Sequence, residues 1–301
     1  MSSPALAGSA ARSAAILKYS TWDWIPVGLA FVHFAGVIGF FVAFPDMTWP
    51  LRIAAGLLYS ISISWSINSV CHNFLHNPYF VSKSLNTLFS YLLSVTLGFS
   101  QTMYHFIHMR HHSGNMDRPD ERGDVIDYLS IYKHGHDGKP ENVWKYMFLS
   151  FFRDDPKEYL EKMAERRPAD ARQAKRELTL MASFYLCLAI LDWKFIVFLL
   201  PFYYFGHCLS ALNGYYEHFG ADPDKPIAWG VSTYNTLYNW TWLNNGYHAE
   251  HHYRPKQHWT KMKELHRQIQ DAQKAAGTRV IWPPHPLGFL DADLQRERHR
   301  P

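Results

Sequence analysis

The sequence has no G-x-G-x-x-G turn, no phosphate-cradling G-x-x-x-x-G-K-[ST] loop and no C-x-x-C pair. The first two absences exclude the common nucleotide cradles. The third excludes a rubredoxin or iron–sulfur centre built by this chain, and no fused haem domain is recognisable. Cysteine is scarce: Cys71, Cys187 and Cys208 are the only three, each in or beside an apolar run. They read as free, small and buried, and Cys71 points about 100° away from the neighbouring His72 on a helix, too far round to share a metal. The formal net charge is only +4, too small to mark a nucleic-acid partner. No cleavable secretory signal precedes the first apolar run. The acidic patch "DRPDERGD", residues 117–124, lacks the spacing of a calcium-binding loop.

Apolar residues are abundant. They make up 48% of the chain and aromatics 16%, yet mean hydropathy is −0.24, a mixture that fits a membrane protein with a large polar portion. Trp24 to Phe44 and Ile53 to Cys71 are long enough to cross a bilayer core. Leu178 to Leu191 and Phe195 to Leu212 follow, parted only by Asp192, Trp193 and Lys194, and read as a helical hairpin whose first arm is short for a crossing. Residues 1–20, rich in Ser and Ala, are expected to be a disordered tail, and residues 21–301 a single membrane domain. After residue 253, Met262, Leu265, Ile269 and Ala272 recur at helical spacing, with Gly277 as the stop.

Histidine shows the most informative pattern. Of 18, eight fall in three short clusters: "HNFLH" (His72, His76), "HMRHH" (His108, His111, His112) and "HAEHH" (His248, His251, His252). Spacings of three and four put each cluster on one helix face, and neutral imidazole is the commonest ligand for transition metals. Eight ligands are too many for one zinc, which takes about four; two first-row metals fit, and redox-active iron suits ligands beside buried apolar volume. A structural zinc site and ordinary surface histidines are the plainer readings of the same residues.

Convergence constrains topology. Two crossings return the chain to one side at the first cluster, so Ser84 to Ser100 must lie in the interface or re-enter, and the hairpin must bring the third cluster back. Four crossings with every cluster on one side is the consistent count. Arg52 and Lys194 are the only basic residues expected on the far side, so the cluster side is cytoplasmic by the positive-inside rule.

The three boxes, in this order and spacing over about Ile61 to Trp259, resemble the membrane-bound fatty acid desaturase and hydroxylase superfamily. That resemblance implies an all-α integral membrane fold of about four transmembrane helices, with a cytoplasmic helical cap carrying a histidine-ligated, non-haem di-iron site. It implies His72, His76, His108, His111, His112, His248, His251 and His252 as ligands. A ninth comes from the end of the last span, where "GYYEHFG" offers His218 and resembles the alkane monooxygenases. The second box has two residues before its His pair, as in desaturases, where alkane monooxygenases have three. The implied reaction is O2-dependent desaturation of a fatty acyl or other lipid-like chain, with fatty acid or alkane hydroxylation as the alternative on the same scaffold. A separate electron donor, a ferredoxin or rubredoxin with its reductase, is implied because the chain stores no electrons itself. A metal transporter is a more distant alternative, but it would place ligands near the bilayer midplane.

Other side chains near the boxes are candidates for supporting roles. His105 lies one turn before His108; Asn244, with Asn245 behind it, lies one turn before His248; Glu217 and Glu250 adjoin ligands and are expected to hold imidazole N–H groups. His33, mid-span, is expected to be hydrogen-bonded inside the bundle. His207 is too far from His218 to share its metal, and His134 and His136 form a lone pair in a polar loop.

Overall fold

The computed structural model describes residues 16–114 and 125–293, and among them the fold is helical, with two isolated β-bridges and no strand. The acidic patch at 117–124 lies outside the described residues, as does most of the expected tail. Ile16 to Lys18, the described end of that tail, pair with Tyr79 to Val81 through Lys18 N–H to Tyr79 O and Val81 N–H to Ile16 O.

Helix α1, Trp24–Ala43, is 20 residues long, about 30 Å, the thickness of a hydrocarbon core. Helix α2, Trp49–Ser66, continues through one π-helical turn, Ile67–Cys71, into α3, His72–His76. Three helical stretches are long and apolar enough to span a membrane: Thr21–Asp46, Trp49–His76 and Pro168–His218. Their apolar windows are only 22%, 50% and 17% buried within the protein, so most of that surface faces outward and needs lipid to cover it. Exposed Trp22 and Trp24 stand at one end of α1 and exposed Trp49 and Trp193 at the opposite end of the bundle, the usual depth of indole anchors at the two interfaces. His33 is held as expected: Ser66 Oγ lies 2.8 Å from its Nδ1 and Ser62 Oγ 2.9 Å from its Nε2.

The run Ser84 to Ser100 forms α4, Lys83–Leu97, capped by Ser82 and ended by Gly98 in the left-handed region (φ 74°); it is not one of the spanning stretches. Helix α5, Gln101–Gly114, follows. Then come α6, Val143–Arg153, and α7, Pro156–Arg166, each started by an acceptor side chain, Asn142 and Asp155.

Helix α8, Pro168–His218, breaks at Asp192 (φ −151°, ψ 92°). Unbroken, Glu177 and Tyr203 would lie about 39 Å apart. Instead Glu177 accepts from Ser100 Oγ and Tyr203 O–H donates to Gly98 O, two residues away in the α4–α5 turn. The chain therefore doubles back at Asp192, as the D-W-K interruption suggests. The first arm is longer than its apolar run: residues 168–191 are continuously helical, about 36 Å, because the polar segment before Leu178 prolongs the helix. The second arm packs tightly on α2, where a Cβ on Gly206 would stand 2.8 Å from Ile63 Cβ and 2.9 Å from Ser60 O. Small residues at such a crossing let helix backbones approach.

The remaining helices are α9, Thr236–Thr241; α10, His248–Tyr253; and α11, Met262–Ala276. Gly277 stops α11 in the left-handed region, as expected, and Met262, Leu265 and Ile269 are buried. Ala272 is exposed, and Gln273 takes the buried place. Cys71 and Cys208 are buried, but Cys187, on the outward face of the first α8 arm, is exposed, which corrects the expectation that all three are internal.

Candidate metal centre

The ends of α3, α5, α8 and α10 meet. His72, His76, His108, His112 and His251 form one group, and His111, His218, His248 and His252 a second. Within each, the candidate ligand atoms all lie within 4.8 Å of one another. All nine histidines singled out in the sequence are thus brought together; seven are buried, with His76 and His112 half-buried.

The repeated box has a geometric reason. On a helix, residues i and i+4 nearly superpose, whereas i+3 lies about 100° away from i+4. Box two sends His108 and His112 to the first group and His111 to the second; box three sends His248 and His252 to the second and His251 to the first. The two short helices therefore cross-brace both groups.

Nε2 atoms face inward. His76 and His108 approach at 2.7 Å, His72 and His251 at 3.0 Å, His112 and His251 at 3.0 Å. In the second group His218 and His248 are 3.1 Å apart, and His111 and His252, which bridges toward the first, 3.2 Å. Nitrogens about 2.1 Å from a shared cation, the usual imidazole distance, stand about 3 Å apart when adjacent. His108 and His251 each face two other Nε2 atoms, which a single ring proton cannot satisfy but a cation can. Burial, then the neighbouring imidazoles, pushes His108, His112, His248, His251 and His252 well below the usual histidine range. They are neutral at pH 7, the form that binds metal. The residues present fit two first-row metal ions held by nitrogen.

The outward nitrogens of His111 and His72 are held too. His111 Nδ1 donates to buried Asp127 at 2.7 Å, leaving its Nε2 lone pair aimed inward. His72 Nδ1 donates to Asn245 Oδ1 at 3.1 Å. The Asn245 amide donates to Glu217 at 2.6 Å, Asn213 donates to the same oxygen at 2.7 Å, and the other Glu217 oxygen lies 3.8 Å from His248 Nδ1. Glu217 thus lies beside one group and reaches the other through Asn245. Asn244 does not: its amide donates to Trp259 O and its backbone is left-handed (φ 62°). Glu250 also points away, accepting from Ser232, Tyr234 and His266, because it lies on the face of α10 opposite the ligand groups. His105 is in neither group and lies near Arg167 and Asp170. His134 and His136 are in neither group.

Four contributors escaped the sequence reading. Asp127 sits in the polar loop after box two, where no motif marks it. Trp229 packs its ring 4.6 Å from His252 and 5.8 Å from His111. Gly230 after it (φ 150°) passes so close to α10 that a Cβ would stand 2.9 Å from Ala249 Cα. Glu177, fully buried, accepts from Thr102 N–H at 2.9 Å and from Ser90, Ser100 and Thr102 hydroxyls, fixing the start of the helix that carries box two.

A largely apolar cavity of about 430 Å³ opens from the histidines His72, His108, His111, His218 and His248 and runs between α5, α6 and both arms of α8, a size suited to a small-molecule ligand. Comparison with curated proteins gave no match. Residues 47–284 match the family model described as fatty acid desaturase.

Proposed function

Since the chain belongs to the fatty acid desaturase family, and so is a lipid-modifying oxidoreductase of the membrane rather than a metal transporter, we propose that it is an O2-dependent di-iron desaturase acting on a fatty acyl or similar chain. The observation that carries this reading is the convergence of two Nε2-lined groups at the inner end of an apolar cavity. His72, His76, His108, His112 and His251 would hold one iron, and His111, His218, His248 and His252 the other. Bound there, iron would supply the reaction of O2 with an unactivated C–H bond. The protein's own part is to hold neutral imidazoles at fixed spacing, to lay an apolar chain along the cavity and to keep bulk water away. Asp127, Asn245 and Glu217 hold ligand orientation.

The two arms of α8 count as two crossings in this reading, making four, with the metal centre on the cytoplasmic side. Desaturation is preferred to hydroxylation on the two-residue gap before the His pair of box two. The purified protein should contain two irons per chain. Mass spectrometry of products from candidate lipids and hydrocarbons should show a loss of two hydrogens; gain of one oxygen would make it a hydroxylase. Full occupancy by zinc, with no O2-dependent product from any chain offered, would end the reading.

A further inference from the structure

Arg52 and Lys194, the two cations expected far from the metal centre, meet in one groove. It measures about 730 Å³, lies between the α1–α2 turn and the break in α8, and is lined by Phe44, Trp49, Arg52, Trp193, Lys194 and Phe198 with their neighbours. Along α2 and its continuation Arg52 precedes His72 by twenty residues, about 30 Å, so the groove stands apart from the metal centre. Arg52 is held in place. Its Nε donates to Phe44 O and its Nη2 to Pro45 O, both at 3.1 Å. Its guanidinium lies 4.4 Å from the Phe44 ring and 5.2 Å from that of Trp49. Those contacts use two of its three nitrogens. Nη1 has no hydrogen-bond partner among the described residues and is not shut off from solvent.

Lys194 is exposed, and its one hydrogen bond runs from its backbone N–H to Asp192 Oδ1 at 3.0 Å. Neither cation has an ion pair among the described residues. The charged residues lining the groove are Arg52, Lys194 and Asp192, two positive and one negative, so the groove is left with one unbalanced positive charge. Its depth in the bilayer is marked as well. Trp49 and Trp193 on its rim are 64% and 62% exposed, the habit of indoles at a headgroup layer. Val197 on the wall and Leu200, one turn deeper on the same arm, are also exposed and offer an apolar track toward the hydrocarbon. A molecule that fits has one negative charge at headgroup depth and an apolar chain below it.

We propose that this groove binds the phosphate of an anionic phospholipid, with Arg52 Nη1 and Lys194 Nζ donating to its oxygens and an acyl chain lying along Val197 and Leu200. One phosphodiester charge balances the charge of the groove. A zwitterionic lipid brings its own cation to the same place and gains less. Inorganic phosphate meets the same two donors without the apolar track, so it is the weaker ligand. The bound lipid bridges the α1–α2 turn and the α8 hairpin, and so ties the two halves of the bundle together at the end that the metal centre does not brace.

The test is lipid retention by the full chain, loaded with iron in a neutral detergent and read by native mass spectrometry. Phosphatidylglycerol and phosphatidylcholine of the same acyl chains are offered at matched mole fraction, and inorganic phosphate alone in a third arm. One phosphatidylglycerol should be held about tenfold more tightly than phosphatidylcholine, and it should raise the melting temperature as a ligand of the folded state does. Lys194→Gln, a change at an exposed side chain without an ion pair, should remove most of that preference and leave iron content unchanged. Arg52→Gln should do the same, although Arg52 also ties down the end of α1, so Lys194→Gln decides the matter if that variant fails to fold. Lys145→Gln, which removes an exposed cation on α6, should keep the wild-type preference. Equal binding of the two lipids by the wild type overturns the proposal. So does a preference that survives Lys194→Gln, one lost equally in Lys145→Gln, or inorganic phosphate bound as tightly as phosphatidylglycerol.

Discussion

Two candidate ligand histidines, His72 and His111, have their second nitrogen held by a hydrogen bond, and there the holder decides which proton stays. Asp127 accepts from His111 Nδ1 at 2.7 Å. Asp127→Asn would keep the shape but present an amide that can turn its donor to the ring. Partners of this kind are worth about 10–100-fold in metal affinity. Titration with iron should then fill the first group at wild-type affinity and the second only at higher iron. Equal loss from both groups, or none, contradicts the assignment. A second residue-scale expectation concerns His266, whose pKa is raised by its hydrogen bond to Glu250. A folded pKa above the unfolded one contributes stability fully below about pH 6.5, lost as pH rises through the folded value. Glu250 is fully buried and His266 keeps 21% of its side chain exposed, so solvent screens the pair only in part. His266→Gln should therefore lower the melting temperature at pH 6 and leave it nearly unchanged at pH 9. His218 came only from the family resemblance, whereas the eight histidines of the three boxes were legible because spacing on a helix is local information. Asp127 and the meeting of Asn245 with His72 were not, since both partners lie far apart in sequence and only tertiary packing joins them.

Among the elements, α5 carries three ligands, yet its start depends on a carboxylate from α8. Glu177 accepts from the Thr102 amide, the Gln173 side chain and three hydroxyls, with no ion pair to it among the described residues. Glu177→Ala would leave these donors buried and unpaired, costing on the order of 2–3 kcal/mol. Because box two feeds both groups, both irons should become easier to strip with a chelator. Melting temperature and chelation rate measure the two effects, and a variant as stable and as tightly loaded as the wild type would show that α5 needs no such anchor. The hairpin break was readable, because Asp192, Trp193 and Lys194 interrupt an apolar run. The π-helical turn before His72 was not readable, since a single inserted residue leaves no mark on apolar periodicity. Nor was the union of the polar segment before Leu178 with the apolar arm, which composition divides and hydrogen bonding continues.

At the scale of the whole molecule, convergence of the boxes argues for the proposed four-crossing topology, and that topology would set where electrons enter. With Cys187, the exposed native thiol, replaced by Ser, single cysteines at Lys133 and Arg254 should label from one face and a cysteine at Pro45 from the other; Pro45 and Lys133 on the same face would break the four-crossing count. The parity argument reached this from span lengths alone, because a metal centre cannot be shared across a bilayer. On the centre's side, Arg254, Lys256, Lys261 and Lys263 are exposed between the ligand helix α10 and the first turn of α11. Desaturation and hydroxylation both draw two outside electrons per O2, and this chain has no motif to store them. An acidic ferredoxin or rubredoxin would be steered to that basic surface, and steering weakens as salt shortens the Debye length to about 8 Å at physiological strength. Purified protein given iron, O2 and substrate should stay inactive until donor and reductase are added, and its rate should fall as salt rises. Charge reversal at Lys256 and Lys263 should raise the KM for the donor several-fold without altering iron content. Turnover with a pyridine nucleotide alone would refute the need for a donor. A rate indifferent both to salt and to the reversal would leave that need standing and move the docking surface elsewhere.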